Sequence, residues 1–221
     1  MKFFTSMFSD KWDYAIRFAK ELLNSNSHIS LDNRDHPIYL MVKALALPLQ
    51  AEMVQPIFSQ PKQEVSDKIR PYFYPRYSEL EQYLKIPIHL IETSQMISID
   101  FSKDCILVES AWDINRMKSA LSNLATEEWQ YDQTNHKISY FEPFKVGLVK
   151  NGLHSSTVGL LKKQGILSAR IINCSILYDF IRADAYYYYS LSDNQIICEA
   201  LSFEESLIFE IGRLILQAKG E

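Results

Sequence analysis

His154 and Ser155 follow directly on Asn151, Gly152 and Leu153, and this run offers the chain's best chemistry. A neutral imidazole can donate to a phosphate oxygen or pass a proton as acid or base near neutral pH. The hydroxyls of Ser155, Ser156 and Thr157 lie close behind it. Residues 144–150 read as a strand, Asn151-Gly152 as the turn leaving it, and 154–164 as a helix that Gly165 closes. That succession collects free backbone N–H groups and the positive helix end at one point, a cradle for an anion. Gly152 and Ser155 are therefore candidate ligand-binding residues, and His154 is a candidate catalytic one.

The charge for such a site has to come from nearby. Residues 137–170 carry six Lys or Arg against the single acid Glu142, whereas 171–221 carry three basic and eight acidic residues. A solvated face and a phosphate-holding patch both fit that distribution. Lys150 at the end of the strand is one candidate. Arg116, which with Trp112 and Asp113 opens the helix after the strand at 105–108, is another, and it equally fits a local ion pair with Asp113. Asp179 and Asp184 follow the strand at 169–174 and could place a water; Asp179 is the second catalytic candidate. Glu210 and Arg213, three apart on the last helix, read as a helix-surface ion pair. Tyr72 to Tyr77 and Tyr186 to Tyr189 supply aromatic surface that either stacks bases or packs in the core.

Several chemistries are excluded. His28, His36, His89 and His136 show no metal-ligand spacing, and Cys105, Cys174 and Cys198 form no C-x-x-C pair, so no metal site is expected and the thiols read as buried. There is no G-x-S-x-G elbow, no Walker A run and no dinucleotide fingerprint. Nothing in the residues names a cofactor.

The elements that must position these groups make an α+β chain. Ser9 reads as the cap of a first helix carrying Trp12, Ile16, Ala19, Leu22 and Leu23 on one side. A second helix begins at Pro37, bends at Pro48 and runs to about residue 58. Seven of the eight prolines fall between Pro37 and Pro87, and the stretch from Pro71 to Tyr77 cannot be a regular helix. Strands follow at 88–91, 105–108, 137–141, 144–150, 169–174, 185–190 and 195–199, with helices at 112–124, 154–164 and 203–218. The last is an amphipathic core helix opened by Ser202, with Glu205 at capping-box spacing. The expected organisation is a helical N-terminal region and linker over 1–85 and an α/β core with C-terminal helix over 86–221.

The run Val149 to Ser155, with Gly159, Gly165 and the strand at 169–174, resembles the core of the ParB and sulfiredoxin superfamily, in which a strand enters Gly-x-His/Arg-Arg, then a helix, a glycine and another strand. It is similar to small uncharacterised bacterial families with Gly-x-His-Ser at this place, over about residues 86–175. The resemblance implies a phosphate-facing His154 and puts Ser155 where such nucleotide sites carry a second Arg. Leu153 stands where sulfiredoxins hold their nucleophilic Cys, which removes sulfinic-acid reduction. What remains is binding of a nucleotide or nucleic acid, with nucleotide or phosphoester hydrolysis as the chemistry if there is any. The resemblance also implies a place in a bacterial mobile-element or phage-defence cassette. The alternative is a non-catalytic protein–protein interaction subunit with a degenerate site.

The composition, 47% hydrophobic and 13% aromatic with net charge −4, is that of an ordered globular chain without general affinity for polyanions. Asp10, Lys11 and Asp13 cut short the apolar opening Met1 to Phe8, so neither a signal peptide nor a membrane span is expected, and a cytoplasmic location without a membrane partner follows.

Overall fold

The structure, a computed structural model, describes residues 2–59, 73–84 and 91–220. Most of the strand expected at 88–91 and the boundary expected at 85/86 lie outside the described residues, as do Tyr72 and His89.

Helices α1 (Lys2–Ser25), α2 (Pro37–Val54), α3 (Pro56–Ser59) and α4 (Tyr77–Leu84) precede strands β1 (Glu92–Asp100) and β2 (Cys105–Val108). Then follow α5 (Ile114–Thr126), β3 (Lys137–Glu142), β4 (Val146–Asn151), α6 (Leu153–Lys162) and β5 (Ile166–Asn173). A 3-10 turn (Ser175–Asp179), β6 (Ile181–Ala183), β7 (Tyr187–Ser190), β8 (Ile196–Glu199) and α7 (Phe203–Lys219) complete the chain. The main sheet is mixed, in the order β1-β5-β3-β4-β2, and β6-β7-β8 form an antiparallel meander. The chain is thus α+β with a C-terminal helix.

Alternation along the strands divides the core. Phe141, Val146, Leu148 and Ile172 face α1, α2 and α7, while Tyr140, Val149, Leu167 and Ala169 face the opposite layer with Trp129 and, from α6, Leu153 and Leu160. The N-terminal helices share the first of these cores: Ala19, Leu23, Ile38 and Val42 pack in one cluster with Leu207, Ile208 and Ile211 of α7. Polar contacts fix the same docking. The Gln50 amide pairs with the free edge of β2, accepting from Val108 N at 2.7 Å and donating to Val108 O at 3.2 Å. Lys145 Nζ donates to the carbonyls of Leu31 and Asp32 at 2.9 and 2.7 Å, and Arg34 reaches both Asp104 oxygens at 2.9 Å. By length and composition Pro37–Ser59 is long and apolar enough to cross a bilayer; in this fold Ile38, Val42, Ala46, Leu49 and Met53 form its buried stripe.

Four expectations change. Helix α1 begins at Lys2, so Ser9 lies inside it. Edge strand β1 escapes the sequence pattern because Glu92 to Gln95 are polar and only Ile97 and Ile99 mark its inner face. Asp113 is the cap of α5, not a first-turn residue, accepting from Asn115 N and Arg116 N. Glu210 and Arg213 are no surface pair: the guanidinium bonds Glu210 at 2.7 Å, Tyr178 O at 2.8 Å and Ile181 O, while Glu210 also accepts from Ala183 N at 2.7 Å. This staple ties α7 to the 3-10 turn and to β6. Cys105 and Cys174 are buried and Cys198 half-buried, and burial pushes the Cys105 thiol up to about 12.

Candidate functional site

β4 enters the turn and α6 leaves it, as their sequence dictates: apolar residues at 146–149, then Asn151-Gly152, then a helix-forming run. Gly152 sits at φ +77 and supplies no side-chain cap to α6. Its hydrogen faces the His136 ring, for a Cβ there would lie 2.2 Å from His136 Cδ2. The other glycines of the cluster also make room for side chains. A Cβ on Gly165 would come 2.2 Å from Trp129, on Gly159 2.8 Å from Phe101 and 2.9 Å from Trp129, and on Gly147 2.7 Å from Ile99. The left-handed residue ending α6 is Lys163, at φ 51, rather than Gly165. The glycine cluster that reads as a phosphate cradle is in large part a seat for Trp129 and His136.

Neither of those residues stands out in the sequence. Trp129, Tyr131 and His136 precede β3, and their rings form a ladder, with Tyr131 on His136 at 5.6 Å and Trp129 on His136 at 5.0 Å. The Trp129 indole donates to Ser155 O at 2.8 Å. His136 Nδ1 accepts from Asp132 N at 2.9 Å, which places the ring proton on Nε2, 2.9 Å from Ser155 Oγ. Ser155 Oγ then donates to Gly152 O at 3.0 Å. This polarity is the reverse of an activated nucleophile, in which the imidazole accepts from the hydroxyl. Ser155 is held as a structural link.

His154 lies on the other side of the turn. Its Nε2 accepts from Asp113 N at 3.3 Å, leaving Nδ1 to carry the proton, and its ring meets Trp112 edge-on at 5.9 Å. Desolvation lowers its pKa, against the raising influence of Asp113. Arg116 sits over the Trp112 ring at 5.2 Å and 4.0 Å from Asp113, its side chain 67% exposed. The structure therefore brings Gly152, His154 and Arg116 into one neighbourhood, with Trp112, itself 53% exposed, between His154 and Arg116.

Lys150 and Asp179 are placed elsewhere. Lys150 is exposed on the sheet face shared with Val146 and Leu148, opposite α6, its ammonium 5.9 Å from the Phe141 ring. There it lines a cleft of about 380 Å³ with Lys137 and Arg170. Asp179 follows β5, whose Asn173 pairs with Glu142, whereas Asn151 pairs with Lys137 at the other end of β3. On the order of 16 Å of strand separates those ends at about 3.3 Å per residue. Asp179 thus cannot place a water for His154. Asp184 accepts from Tyr186 N, Tyr187 N and Tyr189 Oη, which holds it as a turn residue. Among the described residues no group of three or more His, Cys, Asp or Glu could hold a metal ion.

A larger cleft, about 520 Å³, lies between residues 32–43 and the β1–β2 turn. Its lining balances Asp32, Asp35, Asp100 and Asp104 against Arg34, Lys43, Lys103 and Lys145. Arg34 and Lys145 are spent on docking the N-terminal region, and Lys43 Nζ donates to Lys103 O at 3.2 Å.

Three histidines share a device. His36 Nδ1 accepts from Ile38 N at 3.1 Å, His136 from Asp132 N and His154 from Asp113 N, and desolvation lowers the pKa of all three. Each bond requires a neutral ring. In the unfolded chain these rings protonate near their ordinary value of 6.5, so below it the unfolded state binds more protons and folding loses stability until the folded pKa values are passed. Glu142, raised by desolvation, works in the opposite direction. Urea midpoints are therefore expected to fall between about pH 7 and 5.5, with a slope of up to roughly three protons; a flat profile would contradict the neutral-acceptor assignment.

No curated protein and no solved structure matches the chain. The model of a family of unknown function, DUF6710, matches residues 3–221, and the chain belongs to that family.

Proposed function

We propose that this chain is a cytoplasmic, non-catalytic binding protein for a phosphate-bearing ligand, a nucleotide or nucleic acid, as the resemblance to a ParB-like core implies. The observation that carries the reading is the start of α6. It opens on Gly152 without a side-chain cap, and the His154 Nδ1–H donor, Trp112 and Arg116 stand around it. Backbone amides at a helix start favour an anion, the guanidinium adds full charge, and an exposed indole gives a base a surface to stack on. The reversed polarity of the His136–Ser155 pair and the remoteness of Asp179 argue for binding without turnover.

Titration with ATP, inorganic phosphate and a short DNA strand, followed by thermal unfolding, tests this. A ligand at about 100 times its Kd adds roughly 2.7 kcal/mol. Arg116→Ala is expected to weaken binding by about tenfold or more, the worth of a charge-assisted hydrogen bond, and His154→Ala by less. Released phosphate should stay at background. No shift with any of the three sinks the reading, and phosphate release that depends on Ser155 sinks its non-catalytic part.

A protein-interaction role is the second reading, favoured by Tyr14 and Phe18 on α1 and Leu40 and Leu47 on α2, all exposed.

A further inference from the structure

We infer that the ligand is a single strand of nucleic acid laid across the open half of the sheet; this rests on the phosphate-ligand reading above. The face of β3, β4 and β5 turned away from α6 is covered at one end, where Phe141, Leu148 and Ile172 meet the helices. Towards the other end it presents Lys137 from β3, Lys150 from β4 and Arg170 from β5, all exposed and lining one cleft with Glu92 as the sole acid. Three positive charges against one give a local excess of two in a chain whose net charge is −4. The Glu92–Arg170 contact, at 4.0 Å between side chains 45% and 58% exposed, is weak competition for a phosphate.

The spread of these cations decides the class. They come from three adjacent strands, about 4.8 Å apart, so they extend over roughly 10 Å and suit successive phosphates better than one. Surface for a base lies in the same cleft: Tyr131, half-buried in the loop before β3 with one ring face on His136, lines it, and Met96 is 55% exposed on the neighbouring edge strand. An unpaired base can stack on an aromatic ring at the edge of such a cleft, whereas a duplex keeps its bases inside. His136 joins the two regions, since its ring packs on Gly152 at the start of α6 and also lines this cleft. A strand with one phosphate at α6 therefore continues over Lys137, Lys150 and Arg170.

The test is fluorescence anisotropy with a labelled single strand of about 12 nucleotides, DNA or RNA, as salt is raised, beside ATP, the matching duplex and polyglutamate. At about 0.7 per neutralised phosphate, the three cations of the cleft together with Arg116 give a log–log salt slope near −3. The single strand is expected to bind at least about tenfold more tightly than ATP, and Lys137→Glu with Arg170→Glu to weaken it at least about tenfold while leaving ATP binding unchanged. Arg17→Glu with Lys20→Glu on α1 makes the same change in net charge and is expected to have no effect. The inference is overturned by a single strand that binds no more tightly than ATP, by an indifferent Lys137/Arg170 variant, or by duplex or polyglutamate binding equally well. ATP binding that depends on Arg116 but gains nothing from a longer strand removes only this inference. Silence with every ligand removes the phosphate reading too.

Discussion

Gly152→Ala is expected to lower the stability of the fold by about 2–5 kcal/mol, read as a fall in the urea midpoint at unchanged slope. Two costs add. A side chain at φ +77 costs about 1–2 kcal/mol by itself. The new Cβ also lies 2.2 Å from Cδ2 and 2.9 Å from Nε2 of His136, so the ring has to move and break its bonds to Ser155 and Asp132. Each of those bonds is worth about 0.5–1.5 kcal/mol net. A double-mutant cycle separates the two costs: in a His136→Ala background, Gly152→Ala should retain only the backbone part of about 1–2 kcal/mol. Equal effects in both backgrounds would show that the ring does not rest on the glycine.

Arg213→Ala is expected to be at least as damaging, about 3–5 kcal/mol, because it strands a buried carboxylate. Glu210 is 8% exposed, and the guanidinium also serves the carbonyls of Tyr178 and Ile181. Arg213→Lys should not rescue, since one ammonium cannot reproduce the planar fork that reaches the carboxylate and both carbonyls. Arg213→Met with Glu210→Gln should recover part of the loss, because the amide oxygen can still accept from Ala183 N without a buried charge. Thermal unfolding of the three variants decides the matter; a single Arg213→Ala variant within about 1 kcal/mol of wild type would show that the staple contributes no more than a surface pair.

Helices α1 and α2, β2 to β5 and α7 were legible because their apolar residues recur at helical or strand spacing, and burial against a neighbour enforces that spacing wherever the neighbour comes from. Pro37 at the first position of α2 and Ser202 at the cap of α7 were likewise readable, being local backbone chemistry. The strand–turn–helix around Gly152 was legible for the same reason. What the glycines were for was not. Gly152, Gly159 and Gly165 face His136 and Trp129, and nothing at short range announces that those rings pack on this turn.

The candidate site divides in the same way. The sequence by itself determined which residue types are on hand: an imidazole and hydroxyls after a glycine turn, cations concentrated between 137 and 170, and carboxylates beyond them. Tertiary structure decided which of them meet. Strand direction sends Asp179 to the far end of the sheet, and side-chain alternation puts Lys150 on the face away from α6. The Asp132 amide, through His136, turns Ser155 from a potential nucleophile into a structural link. Spacing along a chain records local periodicity, whereas sheet order, strand direction and the tautomer of a buried ring depend on partners many residues away, so the glycine turn could be found from sequence and its chemistry could not.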